Sequence, residues 1–220
     1  MQTTPAGRMV FGLTSLVVFV GVVVQLFASA DHEGGFFTGG AAALNVFSYF
    51  TIQSNLILGI TCFLLATGAA SRALWFRALR MIGVVGIALT FVVFQLVLRG
   101  LQDLTGQAAF ADVMLHTVSP ILGVGGWLVF GPRRLADRKA IAWTVGYVAA
   151  YGVFTMIRGA IVRHGGVHFY PYPFLDAADK GYPRVFLNLI VVGAAFLGLC
   201  IGARALDRRL AARRSPVRRR

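Results

Sequence analysis

The chain has 220 residues, of which 57% are hydrophobic and 13% are charged, and its mean hydropathy is +0.74. A soluble domain of this length carries about 25% charged residues, so the composition excludes a cytosolic enzyme, a disordered chain and a secreted disulfide-linked scaffold. The net charge of +13 comes from basic residues that lie mostly between and after hydrophobic blocks. That distribution is typical of membrane topology signals rather than of nucleic-acid binding.

Six apolar blocks follow one another along the chain, each close to the ~20 residues that a helix needs to cross a bilayer. Because lipid cannot satisfy exposed peptide groups, unalternating runs of this length predict helices rather than barrel strands. We therefore expect an all-α, polytopic integral membrane protein, a six-transmembrane-helix bundle over residues 1–205, followed by a basic tail over 206–220. The predicted spans are 9–29, 45–69, 80–101, 111–131, 140–163 and 184–204.

The basic residues also predict the orientation of the bundle. Most of the 21 lysines and arginines, including Arg8, the loop around Arg133 and the arginine-rich C-terminal segment, fall on one side of the membrane. By the positive-inside rule this side, with both termini, is cytoplasmic. The first block resembles a signal peptide ending at Ala28-Ser29-Ala30, but its span-like length favours a retained helix.

Polar side chains inside the spans are costly and mark candidate functional positions. At ~1.5 Å rise per residue, five spans place such a group roughly 6–9 Å below the outer surface. These groups are Thr51, Gln95, His116, Arg158 and Asn188. The layer predicts a buried polar site that opens toward the outer leaflet.

On two of these spans, helical spacing places further polar residues on the same helix face as the first. The predicted faces carry Ser48, Thr51 and Asn55 on the second span and Asp112, His116 and Ser119 on the fourth. In this arrangement Thr51 can act as a nucleophile, with His116 as its base and Asp112 orienting the imidazole. The candidates for holding a substrate or an oxyanion are Ser48, Asn55, Gln95, Arg158 and Asn188.

Each of these side chains also has a structural interpretation. A threonine in a membrane helix commonly bonds its own i−4 carbonyl, Arg158 can snorkel outward, and amides commonly hold helices together. A non-catalytic transporter, a protein that binds lipids or small molecules, and a purely structural bundle therefore stay open. No metal site is predicted, because the His164/His168 pair flanks two glycines that disfavour a helix.

The loop after the fifth span contains Tyr170-Pro171-Tyr172-Pro173-Phe174, which cannot be helical because two prolines interrupt it. Its aromatic rings suit the headgroup region, so the loop is expected to be an interfacial anchor. A lid or substrate portal is the alternative.

Three segments, taken in order, resemble a known family. They are 47–55 (FSYFTIQSN), 115–120 (LHTVSP), and Gly146-Tyr147 with the downstream Tyr172-Pro173-Phe174-Leu175. They resemble the androgen-induced/androgen-dependent family of polytopic membrane proteins and its bacterial relatives. The animal members are threonine hydrolases that act on fatty-acid esters of hydroxy fatty acids.

The resemblance implies that Thr51, in Phe50-Thr51, is the nucleophile and that His116 is the essential histidine. The chain departs from the animal pattern in carrying Asp112 where those proteins have an asparagine, and Val113 in place of a second histidine. The overall expectation is a lipid-ester hydrolase of the bacterial cytoplasmic membrane that requires no metal or organic cofactor. Its expected partners are a lipid or fatty-acid ester substrate and membrane lipids, without nucleic acid, and the oligomeric state is left open.

Overall fold

The computed structural model describes residues 3–32, 35–101 and 103–213. In this part of the chain nearly all regular structure is helical, and one short hairpin supplies the strands. Six helical segments within these described ranges are long and apolar enough to cross a membrane, as the sequence predicts. They are α1 (Pro5–Ala30), α3 (Phe50–Thr67), α4 with its π turn (Leu74–Leu98), α5 to α6 (Gly106–Phe130), α7 (Arg138–Ile161) and α9 (Tyr182–Arg213).

Shorter elements complete the chain between these spans. Within the third and fourth spans they are α4 (Leu74–Val93), its π turn (Phe94–Leu98), α5 (Gly106–Val113), a second π turn (Met114–Val118) and α6 (Ser119–Phe130). In the loops they are α2 (Gly39–Asn45), 3-10 turns (Val46–Ser48 and Pro173–Leu175), β1 (Arg163–His164), β2 (Val167–His168) and α8 (Ala177–Lys180).

The second span begins later than predicted. Tyr49 is extended (φ −85°, ψ 134°), which separates the 3-10 turn at Val46–Ser48 from α3. Ser48 therefore does not continue the helix of Thr51 and Asn55, and the predicted i, i+3, i+7 face is wrong at its first member. Backbone direction changes at Tyr49, a break that hydrophobic periodicity does not register.

The sixth span is longer than predicted. Helix α9 continues to Arg213, into the segment that the sequence analysis assigned to a basic tail, while residues 214–220 lie outside the described residues. The continuation carries the buried Asp207, whose Oδ2 accepts hydrogen bonds from the backbone N–H groups of Leu135 and Ala136. This carboxylate attaches α9 to the loop between α6 and α7.

Helix α3 lies against α1, α4 and α6, and glycines mark its close contacts. A Cβ at Gly59 would stand 2.8 Å from Val18 on α1, and one at Gly123 on α6 would stand 2.6 Å from Leu58. At Gly83 on α4 it would stand 3.0 Å from the Leu58 backbone. In lipid, where apolar faces gain little by association, such small residues let helix backbones approach.

The two ends of the bundle differ in chemistry. At the basic end, Arg8 Nε donates to the Ala66 carbonyl (2.7 Å) and Arg77 pairs with Asp137 (3.1 Å). We call the opposite end, formed by residues 35–49 and 163–176, the aromatic end, because its rings contact one another across the two segments. The candidate site lies just beneath this end.

Candidate active site

A cavity of about 440 Å³ lies where α3 begins, between α4, α7, α9 and the loop of the aromatic end. Nearly all the side chains on its wall are apolar, contributed by residues such as Leu89, Met156 and Phe196. Four hydroxyl side chains interrupt this lining. They belong to Thr51, Thr90, Tyr151 and Tyr172.

The first turn of α3 has no side-chain cap of its own, and two tyrosines take that role. The N–H of Phe50 donates to the hydroxyl oxygen of Tyr151 (3.0 Å), and the N–H of Thr51 donates to that of Tyr172 (3.2 Å). The first N–H groups of a helix have no intrahelical acceptor and form its positive end. Both hydroxyls therefore lie at a position that favours developing negative charge.

Thr51 is the second residue of α3 and is 7% exposed. Its hydroxyl lies 3.4 Å from the Tyr172 hydroxyl, and either group can be the donor. Burial raises the pKa of Tyr172, while the hydrogen bonds from Thr51 act in the opposite direction. The phenol therefore stays protonated at neutral pH and keeps a proton to donate.

His116 lies in the π turn of the fourth span. Its Nδ1 is 2.8 Å from Asp112 Oδ1, which is an ion-pair distance without hydrogen-bond geometry. The ring stacks on Phe94, with centroids 4.2 Å apart and planes 11° from parallel. Phe94 begins the π turn of the third span, so the two π turns meet at this stack. Such turns occur frequently at functional sites.

Thr51 and His116 have different partners. Within residues 3–32, 35–101 and 103–213 no hydrogen bond joins them, and His116 is not part of the cavity wall that contains Thr51. The expected contact between hydroxyl and imidazole is thus absent from this arrangement. Asp112 and His116, at i and i+4 on the fourth span, do lie together, so the missing contact is the one between α3 and this span.

Asn55 links the two halves of the site. Its Nδ2 donates to the carbonyls of Thr51 (2.9 Å) and Leu115 (3.1 Å), and its Oδ1 accepts from Ser119 Oγ (2.5 Å). Asn55 and Ser119 are fully buried, and neither is part of the cavity wall. Asn55 therefore fixes the spacing between α3 and the segment that carries His116.

The remaining candidates are distributed around the aromatic end. Ser48 Oγ donates to the Asn45 carbonyl (2.7 Å), and Arg158 Nη2 donates to Asn45 Oδ1 (2.7 Å). Gln95 Oε1 accepts from Arg99 (2.9 Å), and Asn188 Nδ2 donates to the Phe174 carbonyl (2.7 Å). None of these candidates is on the cavity wall.

The two tyrosines of the site were not among the residues predicted for it. Tyr172 belongs to the loop interpreted as an interfacial anchor, yet its side chain is buried against Thr51. It precedes a proline and is extended (φ −136°, ψ 137°), as expected of that position. The signal in the sequence was the pair of prolines that hold a tyrosine in a stiff segment.

Among the described residues, no group of three or more His, Cys, Asp or Glu side chains is arranged to hold a metal ion. No protein-family model, curated protein or solved structure matches the chain.

Proposed function

We propose that this protein is an integral-membrane lipid-ester hydrolase with Thr51 as its nucleophile, related to the androgen-induced/androgen-dependent family. One observation carries the proposal. A buried threonine hydroxyl lies on the wall of an apolar cavity of about 440 Å³, at the positive end of a helix. The cavity can hold an acyl chain, and the hydroxyl is then beside the ester group that joins the chain to the rest of the lipid.

In the proposed reaction, Thr51 Oγ1 bonds to the ester carbonyl carbon and its proton passes to Nε2 of His116, the ring nitrogen that does not face Asp112. The Tyr172 hydroxyl donates a hydrogen bond to the oxyanion. Collapse breaks the bond to the leaving alcohol, which takes the proton from His116. Water, deprotonated by the same ring, then bonds to the acyl carbon. The bond from this carbon to Thr51 Oγ1 breaks, the fatty acid leaves, and the proton on His116 returns to Thr51 Oγ1.

The arrangement described above is a resting state in this proposal. Thr51 is bound to Tyr172, and His116 is stacked on Phe94. Substrate binding has to release Thr51 from Tyr172 and bring His116 within hydrogen-bond reach. The π turn around His116 is suited to this change, because moving its extra residue along the helix rotates the side chains beside it.

We place the aromatic end at the outer face of a bacterial cytoplasmic membrane. The support is the excess of arginine at the opposite end, which the positive-inside rule assigns to the cytoplasm. The substrate then enters from the outer leaflet.

A fluorophosphonate probe tests the nucleophile. We expect the wild-type protein in membranes to be labelled, and Thr51→Ala and His116→Ala to reduce labelling and fatty-ester hydrolysis to background. Thr144→Ala is the matched control, because Thr144 is fully buried but its hydroxyl bonds only the Ala140 carbonyl in its own helix. Undiminished labelling of correctly inserted Thr51→Ala protein would remove the mechanism.

A second candidate is a non-catalytic lipid-binding or transport protein. The observation that favours it is the bonding of Thr51 to Tyr172, with His116 outside the cavity wall. This candidate predicts that purified protein binds or moves a labelled lipid in proteoliposomes without hydrolysing it, and that Thr51→Ala leaves this property intact.

A further inference from the structure

Arg158 has no acidic side chain within ion-pair distance among the described residues. It lies in the last turn of α7 and is partly buried. A guanidinium cannot give up its proton in a protein. A positive charge that is partly withdrawn from water is costly unless a counter-charge or hydrogen-bond acceptors compensate it.

The contacts of Arg158 leave part of its hydrogen-bonding capacity unused. Nη2 donates to Asn45 Oδ1, whereas Nη1 is buried and has no hydrogen-bond partner in the described part of the chain. The guanidinium carbon lies 4.9 Å from the Phe169 ring centre and 5.6 Å from that of Phe37. Ring faces attract a cation but accept no strong hydrogen bond, so Nη1 still lacks an oxygen acceptor within the described part of the chain.

A continuous hydrogen-bonded path joins Arg158 to the start of α3. Asn45 Oδ1 accepts from both Arg158 and Ser48 Oγ (3.1 Å), and the Ser48 carbonyl accepts from the Tyr151 hydroxyl (3.0 Å). Tyr151 in turn binds the Phe50 N–H, one residue before Thr51. The path ends on the cavity wall, and Met156 and Ile157 of that wall directly precede Arg158 on α7.

We propose that Arg158 binds the anionic head group, a carboxylate or phosphate, of the lipid whose chain occupies the cavity. The planar guanidinium offers paired N–H donors that match the oxygens of either anion. Phe37 and Phe169 shield the contact from water and strengthen it, since charged pairs attract more strongly where the dielectric is low. The inference deepens the proposed function, because it defines the substrate class as a lipid with one negative charge near the outer surface.

Binding is measured with ligands that contain no carboxylic ester, so that the proposed hydrolase cannot consume them. The ligands are a fatty acid, an alkyl phosphate and a fatty alcohol of equal chain length, titrated into detergent-solubilised protein. We expect Arg158→Gln to weaken binding of both anions roughly tenfold or more, as loss of a charged hydrogen bond does, and to leave fatty-alcohol binding unchanged. Arg158→Lys is expected to recover part of the affinity, because it restores the charge without the planar fork.

Two further variants serve as controls. Arg163→Gln removes an exposed arginine of the same end and should change nothing. Glu33 lies outside the described residues, and a Glu33→Gln background removes its carboxylate from the experiment. The selective loss with Arg158→Gln should persist in that background.

The inference is overturned if Arg158→Gln weakens the alcohol as much as the anions, which indicates a structural role, or if it changes neither. It is also overturned if inorganic phosphate competes as well as the alkyl phosphate, since the occupant is then a free anion rather than a lipid. Selective loss of anion binding in a protein that hydrolyses no ester supports the site and removes the proposed function. If wild-type protein hydrolyses the ester but Arg158→Gln weakens all three ligands equally, the proposed function stands and the Arg158 site is removed.

Discussion

At Thr51, a single tyrosine binds both the backbone and the side chain of the residue on which the proposed chemistry depends. Tyr172 accepts the Thr51 N–H and lies 3.4 Å from the Thr51 hydroxyl, and its own side chain is buried. A buried N–H without an acceptor costs free energy comparable to a lost hydrogen bond. Tyr172 therefore stabilises the start of α3 and, in the proposed reaction, controls access to Thr51.

Replacing Tyr172 with phenylalanine separates these two roles. We expect Tyr172→Phe to lower the free energy of unfolding by about 1–3 kcal/mol, because the Thr51 N–H is left unsatisfied. We also expect fluorophosphonate labelling to slow, because the proposed oxyanion donor is lost. Thermal unfolding in detergent and labelling rates measure the two effects. Tyr182→Phe, at an exposed tyrosine, is the control, and equal effects of both variants would contradict the assignment.

The same residue predicts a dependence on pH. Burial raises the pKa of Tyr172 above its ordinary value of 10.0, so the folded protein holds this proton more tightly than the unfolded chain does. The stabilisation is fully present below pH 10.0 and is lost as the pH rises toward the folded pKa. Unfolding titrations from neutral to alkaline pH should therefore show a steeper loss of stability in wild type than in Tyr172→Phe. Parallel curves would show that Tyr172 does not contribute.

Among the helices, α3 is held in position by close contacts on several sides. Glycines on α4 and α6 face Leu58, a residue with no exposed side-chain surface, and Gly59 faces Val18 on α1. On the same helix, Asn55 bonds the carbonyls of Thr51 and Leu115. The position of Thr51 therefore depends on backbone approach along the whole of α3.

Adding a side chain at one of these glycines should displace α3. A Cβ at Gly83 would stand 3.0 Å from backbone atoms of Leu58, which cannot swing away as a side chain can. We expect Gly83→Leu to destabilise the bundle by about 1–3 kcal/mol, the usual cost of overpacking, with a smaller effect for Gly83→Ala. Gly146→Leu, where nothing lies within 4 Å of the added Cβ, is the matched control. Equal thermal stability of the Gly83 and Gly146 variants in detergent would contradict the packing argument.

Across the whole molecule, the chemistry of the two ends predicts an orientation. At the basic end, Arg8 joins α1 to α3, and Arg77 on α4 pairs with Asp137 in the loop between α6 and α7. The opposite end is rich in aromatic rings. Cytoplasmic loops carry an excess of basic residues. The aromatic end, with Arg158, is therefore expected to face outward.

Labelling of single introduced cysteines in intact cells tests this orientation. Cys62 and Cys200 are buried and should not react with a membrane-impermeant maleimide. We expect Arg163→Cys to be labelled from outside, and Lys139→Cys to be labelled only after the membrane is permeabilised, since both replaced side chains are exposed at opposite ends. The reverse pattern would place the proposed site at the cytoplasmic face.

The fold was more predictable than the site. Runs of apolar residues identified all six helices of spanning length, because a bilayer admits few other structures. The face on which Ser48 was placed beside Thr51 and Asn55 was wrong, since it assumed an unbroken helix through Tyr49, which is extended. The pairing of Thr51 with Tyr172 joins residues 121 positions apart, and no periodicity within one element can predict such a contact.

The sequence by itself determined the number of helices of membrane-spanning length and the concentration of positive charge at one end, because hydropathy and charge act on each segment independently of its neighbours. It also singled out Thr51, His116 and Arg158 as polar groups within apolar blocks. Only the tertiary structure decided their partners on other elements, since the Asp112 neighbour of His116 follows from the i, i+4 spacing alone. Those partners depend on the register of a π turn, on the approach that glycines allow and on a proline-stiffened loop that returns Tyr172 to the start of α3.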